Sequence, residues 1–416
     1  MTTRLKQLSA VMAFLVLLVG AVFARAVELP IVKPSDAGMS AQKLGQVNEI
    51  MTGLIDKKKI AGGVVIVVRD GKVCFFNAYG QRHREANLPM EKNTIFRIYS
   101  MSKAITTAAA MQLYEKGKLK PEDPISKFIP EVKAAKVYDG KQLVAANREV
   151  TIADLMRHTS GYTYGKGGAG PIGKAYRNAP PLASTNLEEM AKRLKGIPLA
   201  YQPGDKWIYS MSIDILGLVI ERASGQKLDA YLLEHIFQPL DMKDTFFQVP
   251  QAKVNRFAAN YGARGKLIDL PSTSKYVKKV TFFSGGGGLC STARDYAHFL
   301  TMLQNNGELF GKRILKTSTV KLMGTNQLSQ KAFPIGFGSQ KRDGVGFGYG
   351  FAVTVSKSKF DKHRPIGELG WGGAASTHYW MSPKHKLFVV TLEQRMPYTF
   401  ETETLVKPVV YGATVK

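Results

Sequence analysis

The chain has 416 residues, of which 44% are hydrophobic and 22% charged, a composition typical of globular proteins that excludes disordered and fibrous classes. Its length suits one large domain or two interleaved lobes. The formal net charge is +26, but apart from short runs such as Lys57-Lys58-Lys59 the cations are scattered. We therefore expect no specific nucleic-acid partner and only a weak association with anionic cell wall polymers.

The first 26 residues have the features of a signal peptide. Arg4 and Lys6 precede an apolar run over residues 8–23, and Ala24-Arg25-Ala26 places small residues where a signal peptidase cuts. We therefore expect an exported protein, periplasmic or extracellular, whose mature chain begins at Val27. An uncleaved anchor helix is the alternative, although the apolar run is short for a bilayer span.

Two hairpin patterns lie near opposite ends of the chain. The β-rich runs on either side of Asp70-Gly71 predict an antiparallel pair, because this dipeptide favours a tight hairpin turn. Near the C-terminus, residues 377–381 and 387–392 predict a second pair, joined by a polar turn around Pro383. Strands at both ends indicate a single sheet to which both ends of the chain contribute.

Between the hairpins, apolar residues recur at helical spacing. The predicted helices cover residues 104–116, 151–156, 187–194, 213–223, 228–236 and 292–304. Residues 165–173 and 264–279 are predicted as loops. The expected fold is of the α/β (α+β) class, an antiparallel sheet flanked by helices with an inserted, mostly helical lobe. We assign residues 27–95 and 280–416 to the sheet lobe and residues 96–279 to the helical lobe.

Redox and metal chemistry have few candidate residues. Cys74 lies in a predicted strand and Cys290 beside a glycine run. A disulfide between them is possible in an oxidising compartment, but we expect two buried thiols. The seven histidines have no metal-ligand spacing, and no His-Glu-x-x-His pair is present. We therefore predict no metal site and no cofactor.

Lys103 is the only charged residue between Arg97 and Glu115, in a segment whose apolar residues predict a buried helix face. Ser100 precedes it by three residues and therefore shares its side of the helix. Burial lowers the pKa of an amine toward the range where it accepts a proton at neutral pH. The pattern predicts a serine nucleophile activated by lysine. The alternative is a lysine whose amine extends to the surface.

Two further segments suggest a cleft near this pair. Tyr209 lies in the turn just before an amphipathic helix, where a phenol can reach a cleft without belonging to the core. Trp371-Gly372-Gly373 stands at the start of a strand, where paired glycines allow close backbone approach. Taken singly, Tyr209 could be a packing aromatic residue and the glycines could form a bulge.

The order of these motifs, Ser-x-x-Lys, Tyr-Ser before "LGLVIE", "GGGGLCST" and Trp-Gly-Gly, resembles the serine β-lactamase and penicillin-binding protein superfamily. Over residues 31–391 the chain is most similar to its class C β-lactamase-related group, including the family VIII carboxylesterases. The resemblance implies a β-lactamase/transpeptidase-like fold and an acyl-enzyme on Ser100. It also implies that Lys103 and Tyr209 transfer protons and that the backbone N–H groups of Ser100 and Ala374 form an oxyanion hole.

Two positions depart from the penicillin-recognising pattern. Trp371 stands where those relatives usually place the lysine of Lys-Thr-Gly, and Met211 stands where they place an asparagine. Both changes remove polar groups suited to β-lactams and peptides, whereas Trp-Gly-Gly is the form seen in the esterase branch. We therefore expect an exported serine hydrolase of small carboxylic esters, with Trp371, Gly372, Gly373 and Met211 around the substrate.

Two alternatives remain open from the sequence. The first keeps the mechanism but replaces the ester by a β-lactam or a D-amino acid peptide. The second is a non-catalytic cell wall binding protein of the same fold, because a fold does not guarantee activity.

Overall fold

The computed structural model describes residues 28–165 and 170–415. The predicted signal peptide and its cleavage site therefore lie outside the described residues. Within these two ranges, no helix combines the length and the apolar character needed to cross a membrane.

The central feature is an eight-stranded antiparallel sheet built from both ends of the chain, as the two hairpin patterns predict. In chain order its strands are β1 (Gly62–Arg69), β2 (Lys72–His83), β3 (Leu88–Pro89), β4 (Val345–Phe347), β5 (Ala352–Thr354), β6 (Leu369–Gly373), β7 (Thr377–Ser382) and β8 (Leu387–Glu393). In space they run β4-β5-β6-β7-β8-β1-β2-β3, so that β8 and β1 join the two halves.

Both predicted hairpins are confirmed. Asp70 and Gly71 connect β1 to β2 with φ values of 52° and 72°, the left-handed conformation that a tight hairpin turn requires. A short 3-10 turn, Pro383–His385, connects β7 to β8. Side chains on one face of β1 belong to the largest core cluster and those on the other face to a second cluster. Because both faces are covered, β1 is a nearly continuous apolar run.

Ten helices surround this sheet in the described residues. They are α1 (Ala41–Asp56), α2 (Ser102–Glu115), α3 (Ile152–Met156), α4 (Pro171–Asn178), α5 (Leu187–Leu194), α6 (Ser212–Ser224), α7 (Leu228–Leu232), α8 (Ala293–Gln304), α9 (Thr317–Met323) and α10 (Glu401–Gly412). Helices α1 and α10 pack on one another over one face of the sheet, while α8 contacts β1 and β8. Helix α2 packs against α6, which also contacts α3 and α5.

The six predicted helices are present. The structure differs from the prediction at the end of one of these helices and in one predicted loop. The predicted helix over residues 228–236 ends as α7 at Leu232 and continues as a π-helical turn, Leu233–Phe237. The prediction of a loop throughout residues 165–173 is wrong, because α4 begins at Pro171. Proline favours the first position of a helix, where its missing N–H costs no hydrogen bond.

Five short two-stranded ladders complete the described strands. They pair Phe96–Arg97 with Cys290–Ser291, Lys136–Tyr138 with Leu143–Ala145, Asn260–Tyr261 with Leu267–Asp269, Glu308–Leu309 with Lys312–Arg313, and Gly336–Phe337 with Gln340–Lys341.

Cys74 and Cys290 are both buried free thiols, as predicted. Burial raises their pKa values to about 11 and about 12, which disfavours the thiolate form.

Candidate active site

Ser100 lies in a 3-10 turn, Tyr99–Met101, that leads directly into α2. Tyr99 has a φ of 41°, a left-handed conformation that is uncommon for a residue with a side chain. The turn is anchored on both sides, by the Ile98 N–H donating to Leu289 and by the Tyr296 hydroxyl donating to the Met101 carbonyl. Ser100 is thereby held at the positive end of α2, on the wall of a cavity.

Lys103 is fully buried, one turn into α2. Its Nζ donates to Ser100 Oγ at 3.0 Å and to the Gly286 carbonyl at 2.5 Å, and it lies 4.7 Å from the centre of the Tyr209 ring. The alternative of a lysine that extends to the surface is therefore wrong. When neutral, an amine at this distance can accept the serine proton as the oxygen attacks a carbonyl.

Asp214 is a site residue that the sequence interpretation missed. It lies buried in the first turn of α6 and accepts hydrogen bonds from the Ser284 hydroxyl and, at 3.1 Å, from the Gly286 N–H. Burial raises its pKa, and the charge of Lys103 acts in the opposite direction. Asp214 is the only charged residue in the apolar run "SIDILGLVI", which is the same kind of signal that singles out Lys103.

Tyr209 lies just before α6, as predicted, with its ring against Lys103. Its phenol oxygen accepts a hydrogen bond from Trp371 Nε1 at 3.1 Å. Burial and the neighbouring Tyr209 raise the pKa of Tyr164 well above its usual value, which keeps that phenol neutral. The hydrogen bond from Trp371 to Tyr209 connects two of the predicted site residues directly.

His158 was not predicted at the site. It is fully buried with a φ of 58°, and its ring centre lies 4.8 Å from that of Tyr209. Its Nδ1 is 3.2 Å from Ser210 Oγ, and that hydroxyl continues a chain through Ser212, 2.8 Å away, to Ser160, a further 2.7 Å. Burial and the charge of Lys103 lower the pKa of His158 well below its usual value. We therefore expect a neutral imidazole behind Tyr209.

The paired glycines of β6 allow the close backbone approach that their positions predict. A Cβ on Gly373 would lie 2.4 Å from the Ile98 carbonyl oxygen, so only glycine fits against the segment that precedes Ser100. Ala374, which follows, lines the same cavity as Ser100. The oxyanion hole formed by their N–H groups remains a prediction. Met211 differs from the expectation, because it is fully buried in the core and does not line this cavity.

The cavity at Ser100 has a volume of about 310 Å³ and a largely aromatic wall with charged groups beside it. Its lining consists of Ser100, Tyr209, Phe337, Arg342, Arg364, Gly370, Trp371, Gly372, Gly373, Ala374, Tyr398, Phe400 and Glu403. Of the predicted site residues, the structure therefore brings together Ser100, Tyr209, the Trp-Gly-Gly segment and Ala374 on one wall, with Lys103 directly behind.

Three carboxylates, those of Asp361, Glu368 and Glu403, converge beside this cavity. The Lys407 Nζ lies 2.9 Å from the first two and 2.7 Å from Glu403. Although burial opposes it, the positive charge of Lys407 holds the pKa of Glu403 at about 2. The cation bound by this acidic cluster is therefore an ammonium group of the chain itself.

The fold and this arrangement of serine and lysine define a serine hydrolase of the β-lactamase type. The chain belongs to the Beta-lactamase family, whose family model matches residues 47–407. The predicted resemblance, fold and enzyme class are thus confirmed.

Individual relatives agree with this assignment. The chain is 34% identical to Protein Rv1367c of Mycobacterium tuberculosis (strain ATCC 25618 / H37Rv) over 356 residues, which cover 82% of this chain and 88% of that protein. It is 29% identical to Esterase EstB of Burkholderia gladioli over 363 residues, 82% of this chain and 87% of EstB. The solved structure of EstCE1, described as a hydrolase with promiscuous acyltransferase activity, superposes with a TM-score of 0.76 at 28% identity, covering 89% of this chain and 99% of EstCE1.

Proposed function

We propose that this protein hydrolyses small carboxylic esters through an acyl-enzyme on Ser100. The observation that carries the proposal is the fully buried Lys103 amine, 3.0 Å from the Ser100 hydroxyl on the wall of an aromatic cavity. The similarity to EstB and EstCE1 supports the choice of esters, because both relatives are described as ester-cleaving or hydrolytic enzymes.

The reaction proceeds in two steps. In the first, Lys103 takes the proton of Ser100 while Oγ bonds to the ester carbonyl carbon, and the bond to the alcohol oxygen then breaks. Trp371 donates to the Tyr209 oxygen, which leaves the phenol hydrogen available to protonate the departing alcohol. In the second step Tyr209 takes a proton from water, whose oxygen attacks the acyl carbon. The bond between that carbon and Ser100 Oγ then breaks, and Lys103 returns its proton to Ser100 as the acid is released. Backbone N–H groups of Ser100 and Ala374 stabilise the oxyanion in both steps.

A comparison of two substrates tests the ester assignment. A β-lactam carries a carboxylate, and Trp371 supplies no cation to hold it, whereas a short neutral ester needs only the nucleophile, the oxyanion hole and an apolar wall. We expect kcat/KM for p-nitrophenyl acetate or butyrate to exceed that for nitrocefin by at least about tenfold, the effect of one lost charge-assisted hydrogen bond. Nitrocefin hydrolysis that equals or exceeds ester hydrolysis would instead support the β-lactamase alternative. Intact-mass spectra after exposure to each compound would show which acyl group is retained on the protein.

We also propose that the protein is exported and associates weakly with anionic cell wall polymers. Support for export comes from the charged, apolar and small-residue pattern of residues 1–26, and support for wall association from the excess of lysine and arginine. Mass spectrometry of protein recovered outside the cytoplasm should give a chain that begins at Val27. A membrane-bound chain that retains residues 1–26 would contradict export by signal peptide cleavage.

A further inference from the structure

Arg342 is a buried cation that has no anionic partner in the described ranges 28–165 and 170–415. Only 9% of the residue is exposed, and its guanidinium forms no ion pair and no hydrogen bond with the described residues. Burial lowers its pKa, as expected for a guanidinium that has lost water without gaining a carboxylate. None of its nitrogen atoms is both fully enclosed and without a partner among the described residues, and the residue lines the cavity, so that its N–H donors are accessible from that space.

Aromatic rings surround the guanidinium on several sides. Its central carbon lies 4.8 Å from the ring centres of both Phe337 and Phe360, 4.9 Å from that of Phe400 and 5.8 Å from that of Trp371. Cation–π contacts of this kind stabilise the charge through the faces of the rings. They leave the N–H groups at the edge of the guanidinium plane available to an acceptor.

The other charged residues of this cavity are already paired. Arg364 Nε lies 3.0 Å from Glu368, and Glu403 lies 2.7 Å from Lys407. The negative charge of Glu403 raises the pKa of Arg342 from a distance, against the effect of burial, but Glu403 forms its ion pair with Lys407. Because Arg342 and Ser100 line the same cavity, the unpaired charge faces the space that a substrate of Ser100 would occupy.

We propose that Arg342 binds a carboxylate of the substrate, so that the preferred substrates are esters that carry a second, ionised carboxyl group. The inference rests on the proposed ester hydrolysis at Ser100, because it concerns the same cavity. A guanidinium presents two parallel N–H groups that match the two oxygens of a carboxylate. Because Arg342 is largely buried, solvent screens this pair less than it screens a pair on the surface.

The test compares matched anionic and neutral esters. For a carboxylate on the acyl side, mono-p-nitrophenyl glutarate is compared with p-nitrophenyl pentanoate. For a carboxylate on the alcohol side, 4-acetoxybenzoate is compared with its methyl ester. We expect the wild type to prefer the anionic member of one pair, and we expect Arg342→Met to reduce that preference by roughly 10- to 100-fold, the range for one charge-assisted pair.

Lys341→Met is the matched control variant. Lys341 is the neighbouring cation of the same hairpin, but it is exposed and does not line this cavity. The control should keep the preference for the anionic ester. Loss of preference in both variants would indicate a general effect of positive charge and would overturn the proposal. Equal losses on the anionic and the neutral ester in Arg342→Met would assign Arg342 a purely structural role.

Binding of glutarate to the Ser100→Ala variant, measured by calorimetry, separates this inference from the proposed function. Binding that disappears in Ser100→Ala/Arg342→Gln supports the anion site even where no ester is hydrolysed. Hydrolysis of neutral esters without anionic preference and without glutarate binding overturns the inference and leaves the esterase proposal intact. Penicillin turnover that depends on Arg342, together with inactivity on all four esters, would overturn the assignment to esters and identify the bound carboxylate as that of a lactam. Thermal melts confirm that each variant is folded.

Discussion

At the level of single residues, the charge of Lys103 connects the ionisable groups behind the nucleophile. Asp214 and His158 are buried near it. Burial raises the pKa of Asp214, and the charge of Lys103 opposes this shift, whereas burial and the charge of Lys103 together lower the pKa of His158. Because the charge of Lys103 acts on both groups, the reactivity of Ser100 depends on residues that do not line its cavity.

Ser100→Ala should abolish ester hydrolysis and leave the fold intact. The substitution deletes one hydroxyl just before α2. Lys103 loses its hydrogen bond to that hydroxyl but keeps its hydrogen bond to the Gly286 carbonyl. We expect kcat to fall by several orders of magnitude, because nucleophile and base act as a unit. Steady-state kinetics and a thermal melt measure the two effects. Activity above about a tenth of the wild type would point to a different nucleophile.

Substitution of Lys103 should separate catalysis from stability. Lys103→Arg and Lys103→Met should both be inactive, because guanidinium does not release its proton and methionine has none to exchange. Methionine suits an apolar site, but its introduction leaves the buried Asp214 without the opposing charge. We therefore expect Lys103→Met/Asp214→Asn to be more stable in urea than Lys103→Met. A double variant less stable than the single one would show that the charge of Asp214 has another partner.

Single residues differ in how far their roles can be predicted from the sequence. Lys103 is conspicuous because it is a lone charge in an apolar helix, and Asp214 carries the same signal in α6. Arg342 stands in the polar stretch "SQKRDGVG", where the sequence gives no reason to separate it from Lys341. Its burial arises only when Phe337, Phe360 and Phe400 are brought together from distant parts of the chain.

At the level of elements, the site depends on how closely β6 approaches the turn that carries Ser100. Gly373→Ala would place a Cβ 2.4 Å from the Ile98 carbonyl and 2.3 Å from Thr377 Oγ1, so that the strand or the turn must move. We expect a loss of stability of about 1–3 kcal/mol, typical of overpacking, together with a reduced kcat. Urea unfolding and steady-state kinetics measure the two effects.

Gly53→Ala is the matched control for this prediction. Gly53 lies within α1, and a Cβ there meets nothing within 4 Å. Alanine should therefore stabilise the helix by about 0.5–1 kcal/mol without affecting activity. Full activity and undiminished stability in Gly373→Ala would mean that the approach of β6 to the Ser100 turn is not tight.

The elements that sequence analysis did not predict have physical reasons for escaping it. Helix α1 contains Gly45 and Gly53, which lower its helix propensity, and α10 has Pro408 in its interior. Both helices form because they pack on each other and on the sheet, a tertiary effect that local pattern does not show. The hairpins, by contrast, depend on local turn chemistry and alternating strands, and these were predicted correctly.

At the level of the whole molecule, stability should depend on buried acids that have different pKa shifts. Asp154, although buried, is held by Arg148, the Thr151 N–H and Arg157 at a pKa of about 2. It stabilises the fold above its unfolded pKa, and this contribution is lost as pH falls toward 2. Glu393, near the end of β8, is buried and has a pKa raised to about 8, chiefly by loss of water. The two groups therefore act at opposite ends of the pH range.

The sign of the Glu393 effect follows from its two protonation equilibria. The folded protein keeps the proton up to about pH 8, whereas the unfolded chain releases it near the ordinary value of 4.5. Unfolding thus releases a proton between these values, and the free energy of unfolding should fall as pH rises from about 5 to about 8. Since one pKa unit corresponds to about 1.4 kcal/mol, the loss should amount to a few kcal/mol.

Glu393→Gln should remove most of this pH dependence. Glutamine is neutral at every pH and can still accept the hydrogen bond that the Thr402 hydroxyl donates to Glu393 at 3.1 Å. Urea unfolding at pH 5 and pH 8 should therefore show a large decrease for the wild type and a small one for Glu393→Gln, which should be the more stable protein at pH 8. Asp295, whose burial raises its pKa to about 6, contributes the remaining decrease in both proteins. Glu49→Gln, which removes an exposed carboxylate of α1, is the control and should follow the wild type. Parallel curves for wild type and Glu393→Gln would show that Glu393 keeps its charge in the folded state and that Arg395 compensates for its burial.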